Sequence, residues 1–294
     1  MDDALILCRL LHFATSLCVF GILVFQAALC PLMLAVHLEP RLRRLMIWGS
    51  VIAAATSVLW LVLLAALMAD DWSGAISDDV LGEVLFGTEF GHVWQWHTAL
   101  SLLLVAAIWL DRRLPQPVGR IVALILSALQ LATLGLVGHA VMASGWSGLV
   151  NRAALGLHLL AGGYWLGCLV PVMMCLSLNA PDLHHDAITA LRRFSNVGHA
   201  AVALVIATGV INMDLIVGTL SPAFTNAYQD LLAAKILVVA AMTLLAILNR
   251  YYLVPRLRQA PWVLDQVQRV FAAVYALGLG AIALVSVFGT LAPT

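Results

Sequence analysis

The sequence predicts an all-α polytopic membrane protein, a bundle of eight transmembrane helices with both termini on the periplasmic side. Three observations carry this. The 294 residues are 63% hydrophobic and only 10% charged, whereas soluble domains carry roughly 25% charged residues. The apolar residues lie in long unbroken runs, not in ten-residue alternations, so helices are favoured over a barrel. Basic residues crowd into every second loop, which fixes a sidedness.

Eight spans follow, near 5–35, 45–69, 93–110, 118–142, 153–178, 197–217, 231–254 and 270–291, against a need of about 20 apolar residues per crossing. The first begins after Met1-Asp2-Asp3, with no basic segment and no small-residue cleavage site, and reads as a retained helix. Pro31 and Pro171 are placed to kink the first and fifth spans. Residues 36–44, with Arg41, Arg43 and Arg44, read as the first basic loop. Residues 70–92 form an acidic loop in which Val80, Leu81, Val84, Leu85 and Phe86 suggest a short surface helix. The third span starts among Trp94, Trp96 and His97, the composition of an interfacial aromatic belt. The fourth ends at Gly138-His139-Ala140.

The fifth span carries no charge from Ala153 to Leu178. His158, Gly162, Trp165 and Leu169 share one side of it, and Gly163 with Gly167 forms a small-xxx-small pair that admits a second backbone. Thr208-Gly209 and Asn212 mark close packing or a local opening in the sixth span. Lys235 lies one turn into the seventh, suited to snorkel or to pair with an acid. Of 15 basic residues only Arg9, Arg152 and Lys235 fall outside the basic loops. An even number of spans and this alternation agree with each other.

With that sidedness His12, His92, His97, His139 and His158 lie near the outer face, contributed by different spans. A hairpin brings His139 and His158 to similar depth. Intramembrane ionisable groups mark functional sites. A cluster of neutral imidazoles suits Cu, Zn, Fe or a haem iron. Cys8, one turn before His12, and Met142, three residues after His139, offer softer ligands. The bland alternative is a set of histidines that merely hydrogen-bond carbonyls between helices. On the inner side Met33, His37, Met173, Met174, Cys175, His184 and His185 outline an exit path. The five cysteines show no CxxC pair, and no Walker loop, dinucleotide fingerprint or GxSxG is present. Short loops leave no room for the cytosolic domains of a metal-pumping ATPase. Zero net charge gives no reason to expect a nucleic-acid partner.

Arg9-Leu10-Leu11-His12, Thr88-x-Phe90-Gly91-x-x-Trp94, Gly138-His139-Ala140, His158 with Trp165-Leu166-Gly167, Arg193-Phe194-Ser195, Thr208-Gly209, and Tyr228 ahead of Lys235 occur in this order. In this order and spacing the chain resembles the CopD/PcoD family of bacterial inner-membrane copper proteins, over most of its length and most strongly at 138–250. The resemblance implies a single membrane domain over 1–294 and a multi-pass inner-membrane location. It implies copper, as Cu(I) or Cu(II), as a transported substrate and not a resident cofactor. It also implies a periplasmic CopC-type copper-binding partner. The chain departs from the family at Cys168, where glycine is common, at His199, where a small or apolar residue is common, and at Gln266-Val267-Gln268-Arg269, which lacks an acid. The expectation is ATP-independent copper uptake by a carrier, not an enzyme. Its metal site is drawn from His12, His92, His97, His139, Met142 and His158. A haem-binding electron-transfer or metalloreductase protein is the alternative.

Overall fold

The structure is a computed structural model that describes residues 1–113, 117–138, 145–178, 180–218, 224, 226–256 and 262–292. Eight described helices are long and apolar enough to cross a bilayer. They are α1 (Asp2–Leu29), α2 (Leu32–Ala69), α4 (Glu89–Leu110), α5 (Val118–Leu136), α6 (Gly145–Leu176), α7 (Pro181–Val217), α8 (Ala227–Arg256) and α9 (Val263–Phe288). A short helix, α3 (Asp78–Gly87), lies between α2 and α4 as its apolar pattern predicts. Among the described residues there is no strand.

Residues 36–44 are not a loop. The chain turns at Cys30 and Pro31, both in extended backbone, and α2 then runs unbroken through the arginines. Its 38 residues span about 57 Å at 1.5 Å per residue, far more than a bilayer needs. A helix that projects from the membrane can carry charge without ending, which is why charge alone suggested a loop. Residues 184–196 repeat this at the start of α7, where Arg192 and Arg193 sit on helix. The helical count and the location of the basic clusters at one end are unaffected.

Helices α1 and α6 form the centre. α1 packs on α2, α5, α6 and α9, and α6 packs on α1, α5 and α7. Five residues of α6, Gly163–Gly167, widen into a π turn, the kind of bulge that bends a helix and often marks a functional segment. There the two backbones touch. A Cβ on Gly167 would lie 2.9 Å from the Gly21 Cα and would collide with the Leu17 carbonyl. A Cβ on Gly163 would lie 2.8 Å from the Phe20 ring. The Cys168 thiol donates to the Gly21 carbonyl at 3.2 Å and closes the crossing. So the small-residue pair meets a second backbone, and Cys168 is engaged as a donor in the packing. Gly209 on α7 faces the His158 ring on α6, and α7 stays continuous.

Overpacking usually costs about 1–3 kcal/mol because side chains can adjust; backbone at Gly167 cannot. Gly167→Leu is therefore expected to cost more than about 3 kcal/mol. Gly280→Leu, where a Cβ meets no atom within 4 Å, is expected to be near neutral. Thermal unfolding of the two detergent-solubilised variants beside the parent checks this.

Candidate metal centre

Polar residues in an apolar helix must face a partner, since lipid offers none. In α1 these are Cys8, His12 and Ser16, one turn apart; in α4 they are His97 and Ser101; in α5 Ser127, Gln130 and Thr133. These stripes turn inward and meet. His12 and His97 are both fully buried, and their Nε2 atoms stand 2.9 Å apart.

Each ring is held from behind. His12 Nδ1 lies 3.1 Å from the Ala53 carbonyl and 2.9 Å from Thr56 Oγ1 on α2. A carbonyl only accepts, so Nδ1 carries the proton and His12 Nε2 presents a lone pair. His97 Nδ1 lies 2.7 Å from Thr133 Oγ1, which is also 2.6 Å from the Gln130 carbonyl. The Thr133 hydroxyl can turn either way. Turned to His97 Nδ1, it leaves the proton on Nε2, donated to His12. Turned to Gln130, it accepts from Nδ1–H and leaves a second bare lone pair facing the first. The ring stays neutral in both. The second arrangement is the donor set of a metal site, with each imidazole oriented through its other nitrogen.

The walls are aromatic. Trp94 stacks on His97 at 4.5 Å and 19°, and its Nε1–H donates to the Ser57 carbonyl at 2.8 Å. Trp60 meets His12 edge-on at 5.8 Å. Phe90 stacks on Trp94 at 4.8 Å, and Thr88 caps α4 by accepting from the Gly91 amide. The Thr88-x-Phe90-Gly91-x-x-Trp94 motif is thus the platform under His97. The Arg9 guanidinium covers Trp60 at 5.1 Å from the ring centre and donates to the Gly289 carbonyl, tying α1 to the end of α9. The Cys8 thiol donates to the Thr56 carbonyl at 3.3 Å, on the same side as His12. Below the pair, the Gln130 amide donates to Ser16 and Ser101 at 3.1 and 3.2 Å.

The other expected ligands fall elsewhere. His97 is no belt residue, because its neighbour Trp94 is buried against α2 while Trp96 faces outward. His92 is exposed in the first turn of α4, five residues and some 140° around the helix from His97. His158 pairs with a different helix: its Nδ1 lies 3.0 Å from Thr208 Oγ1, which donates to the Leu204 carbonyl at 2.6 Å. Lys235, whose ammonium lies 5.7 Å from the Phe288 ring centre, is within electrostatic reach of His158. His139 and Met142 lie outside the described residues. Among the described residues no three His, Cys, Asp or Glu side chains converge as a metal cluster. On the opposite end Met33, His37, His184 and His185 are exposed while Cys175 is buried, so these side chains do not line one common path.

The chain matches two family descriptions. "Copper resistance protein D-like, N-terminal domain" covers residues 1–149, and "Copper resistance protein D" covers residues 188–288. It is 33% identical over 291 residues to inner membrane protein YebZ of Escherichia coli (strain K12), across 97% of each chain. It is 29% identical over 256 residues to copper resistance protein D of Pseudomonas syringae pv. tomato, across 83% of this chain and 82% of that one. No solved structure matches. His12, Thr56, His97 and Thr133 all fall in the first matched region, and Thr208 and Lys235 in the second. With eight membrane-length helices and matches spanning both halves, this chain is a multi-pass inner-membrane protein of the copper resistance protein D family.

Proposed function

We propose that this protein carries copper across the inner membrane without ATP, taking it up from the periplasmic side at the His12–His97 pair. The observation that supports the reading is the pair itself: two buried Nε2 atoms, 2.9 Å apart, each backed at Nδ1 by a threonine. Two metal–nitrogen bonds of about 2.0 Å hold the nitrogens about 3.3 Å apart in a tetrahedral arrangement and about 4 Å in a linear one. The rings need to separate by only a few tenths of an ångström to about 1 Å to admit the ion.

Neutral imidazoles in a dry, aromatic site beside the Arg9 cation favour the lower charge. Cu(I) is the expected state, because the cost of burying an ion rises steeply with its charge. Copper binds the His97 tautomer that carries its proton on Nδ1, with the Thr133 hydroxyl turned to Gln130. That tautomer holds the same number of protons as the other, so the ring is neutral before and after. The sidedness that places the site on the periplasmic face is that of the basic clusters, all at the other end of the bundle. A CopC-type protein is the expected donor of copper to this face. The haem alternative fits poorly: a bis-histidine haem needs its two rings on opposite faces of a wide planar group, and Trp60 and Trp94 fill that space.

His12→Ala and His97→Ala are each expected to weaken Cu(I) binding to purified protein by at least about 100-fold, with the double variant little worse than either, because the two act as one site. Competition with a chromogenic Cu(I) chelator, read beside the visible spectrum, measures this; a Soret band lost with the histidines would instead move the protein to the haem class. His158→Ala is expected to leave this site's affinity unchanged.

Thr133→Val keeps the shape and removes the hydroxyl, and is expected to weaken Cu(I) by about 10–100-fold. Thr133→Ser restores the rotating hydroxyl and is expected to stay within a few-fold of the parent. The same titration separates a tautomer role from mere packing.

Protons and copper compete for the same lone pairs, so apparent affinity is expected to fall as pH is lowered and to level off once both rings are neutral. Chelator titrations across a pH series check the sign.

A further inference from the structure

A second feature shares no lining residue with the histidine pair. Helices α7 and α8 are neighbours in sequence but hardly touch. Between them, with α6 and α9 behind, lies a cavity of about 400 Å³. Trp165, Phe194, Val202, Ile206, Ala246 and Phe271 give it apolar walls. Ile206 and Ile247, at its margins, are exposed on the outer surface of the helices, so the cleft opens sideways to the acyl region of the bilayer.

One end is polar, and there side chains bridge α7 and α8. Arg250 donates to Asn196 Oδ1 at 2.8 Å, and His199 Nε2 lies 3.0 Å from the Tyr251 hydroxyl. Among the described residues no aspartate or glutamate lines the cleft, and Arg250 brings a positive charge to its mouth. Asn249, the first residue of a π turn in α8, Asn249–Leu253, also lines it. Asn249 is 3% exposed, and its Oδ1 is buried without a hydrogen-bond partner. A buried carbonyl oxygen in that state calls for a donor.

An apolar slot open to lipid, a cation at its rim and an unmet acceptor beside that cation together specify an occupant. We propose that the cleft binds one phosphatidylglycerol molecule. An acyl chain lies between α7 and α8, the phosphate pairs with Arg250, and a glycerol hydroxyl donates to Asn249 Oδ1. Basic pockets between transmembrane helices hold anionic headgroups in this way. The bound chain supplies the packing that α7 and α8 do not give each other.

The test is native mass spectrometry of the detergent-released protein, titrated with palmitoyl-oleoyl phosphatidylglycerol and with the phosphatidylcholine of the same chains. One retained phosphatidylglycerol per protein is expected, with phosphatidylcholine at least tenfold weaker. Arg250→Gln should reduce the preference to near unity, and Ala246→Trp, which fills the slot, should remove both adducts. Equal retention of the two lipids by the parent overturns the assignment. So does a preference for phosphatidylglycerol that survives Arg250→Gln, an adduct that survives Ala246→Trp, or a lipid-free dimer. If Ala246→Trp does not give monodisperse protein, the Arg250→Gln result decides.

Discussion

A threonine hydroxyl has one proton to give. In this bundle Thr56, Thr133 and Thr208 each stand within 2.6–2.7 Å of a carbonyl of their own helix and within 2.7–3.0 Å of a histidine Nδ1 from another. The histidines are His12, His97 and His158. Turned to its own carbonyl, the hydroxyl accepts from Nδ1–H and leaves Nε2 with a lone pair; turned to the ring, it donates to Nδ1; neither state introduces charge into the membrane. A carboxylate in the same role would orient the ring more strongly but would add a buried anion that needs its own partner. The whole site follows from this constraint: neutral rings, neutral supports, aromatic walls and a single cation, Arg9, kept at one side by Trp60 and the Gly289 carbonyl.

The supports come from different helices, so the site exists only if α1, α2, α4 and α5 hold their spacing. The glycine crossing secures it. Because α1 meets α6 backbone to backbone at Gly21 and Gly167, α1 is drawn into the middle of the bundle and not left at its edge. His12 lies nine residues, or two and a half turns, before that contact. A side chain at the crossing would collide with the facing backbone and disturb the placement of α1, and with it His12. Packing and function therefore share one fulcrum.

Much of this was legible before any coordinates. Hydropathy finds every helix, and the glycine spacing in α6 announces a close crossing. The histidines of the site were both among the outer set. Their pairing was not legible, because residue spacing fixes depth along a helix but not the rotation of that helix about its axis. That information lay in the humbler polar residues. His12 with Ser16, His97 with Ser101, and Gln130 with Thr133 mark the buried face of three apolar helices. Reading only the metal-ligating residues misses them. At 36–44, and again at the start of α7, the arginines mark a helix that has left the bilayer and not the end of one.

The pair sits at one end, and the way beyond it is closed. Ser16, Ser101 and Gln130 extend the polar column by about one turn, but Ile22, Leu23, Leu104 and Leu131 then fill the interior with almost no exposed surface. Those four side chains offer copper no ligand. Close-packed interiors shift between discrete arrangements and do not yield gradually, so passage requires one helix to move relative to its neighbours. The π turn of α6 departs from regular hydrogen bonding at the point where α1 rests on it, and Gly163 and Gly167 set its backbone directly against α1 there. A shift of α6 at this turn would move α1, and with it His12, away from His97. The contact that holds the histidine pair in place is thus also the contact through which the proposed site would be opened.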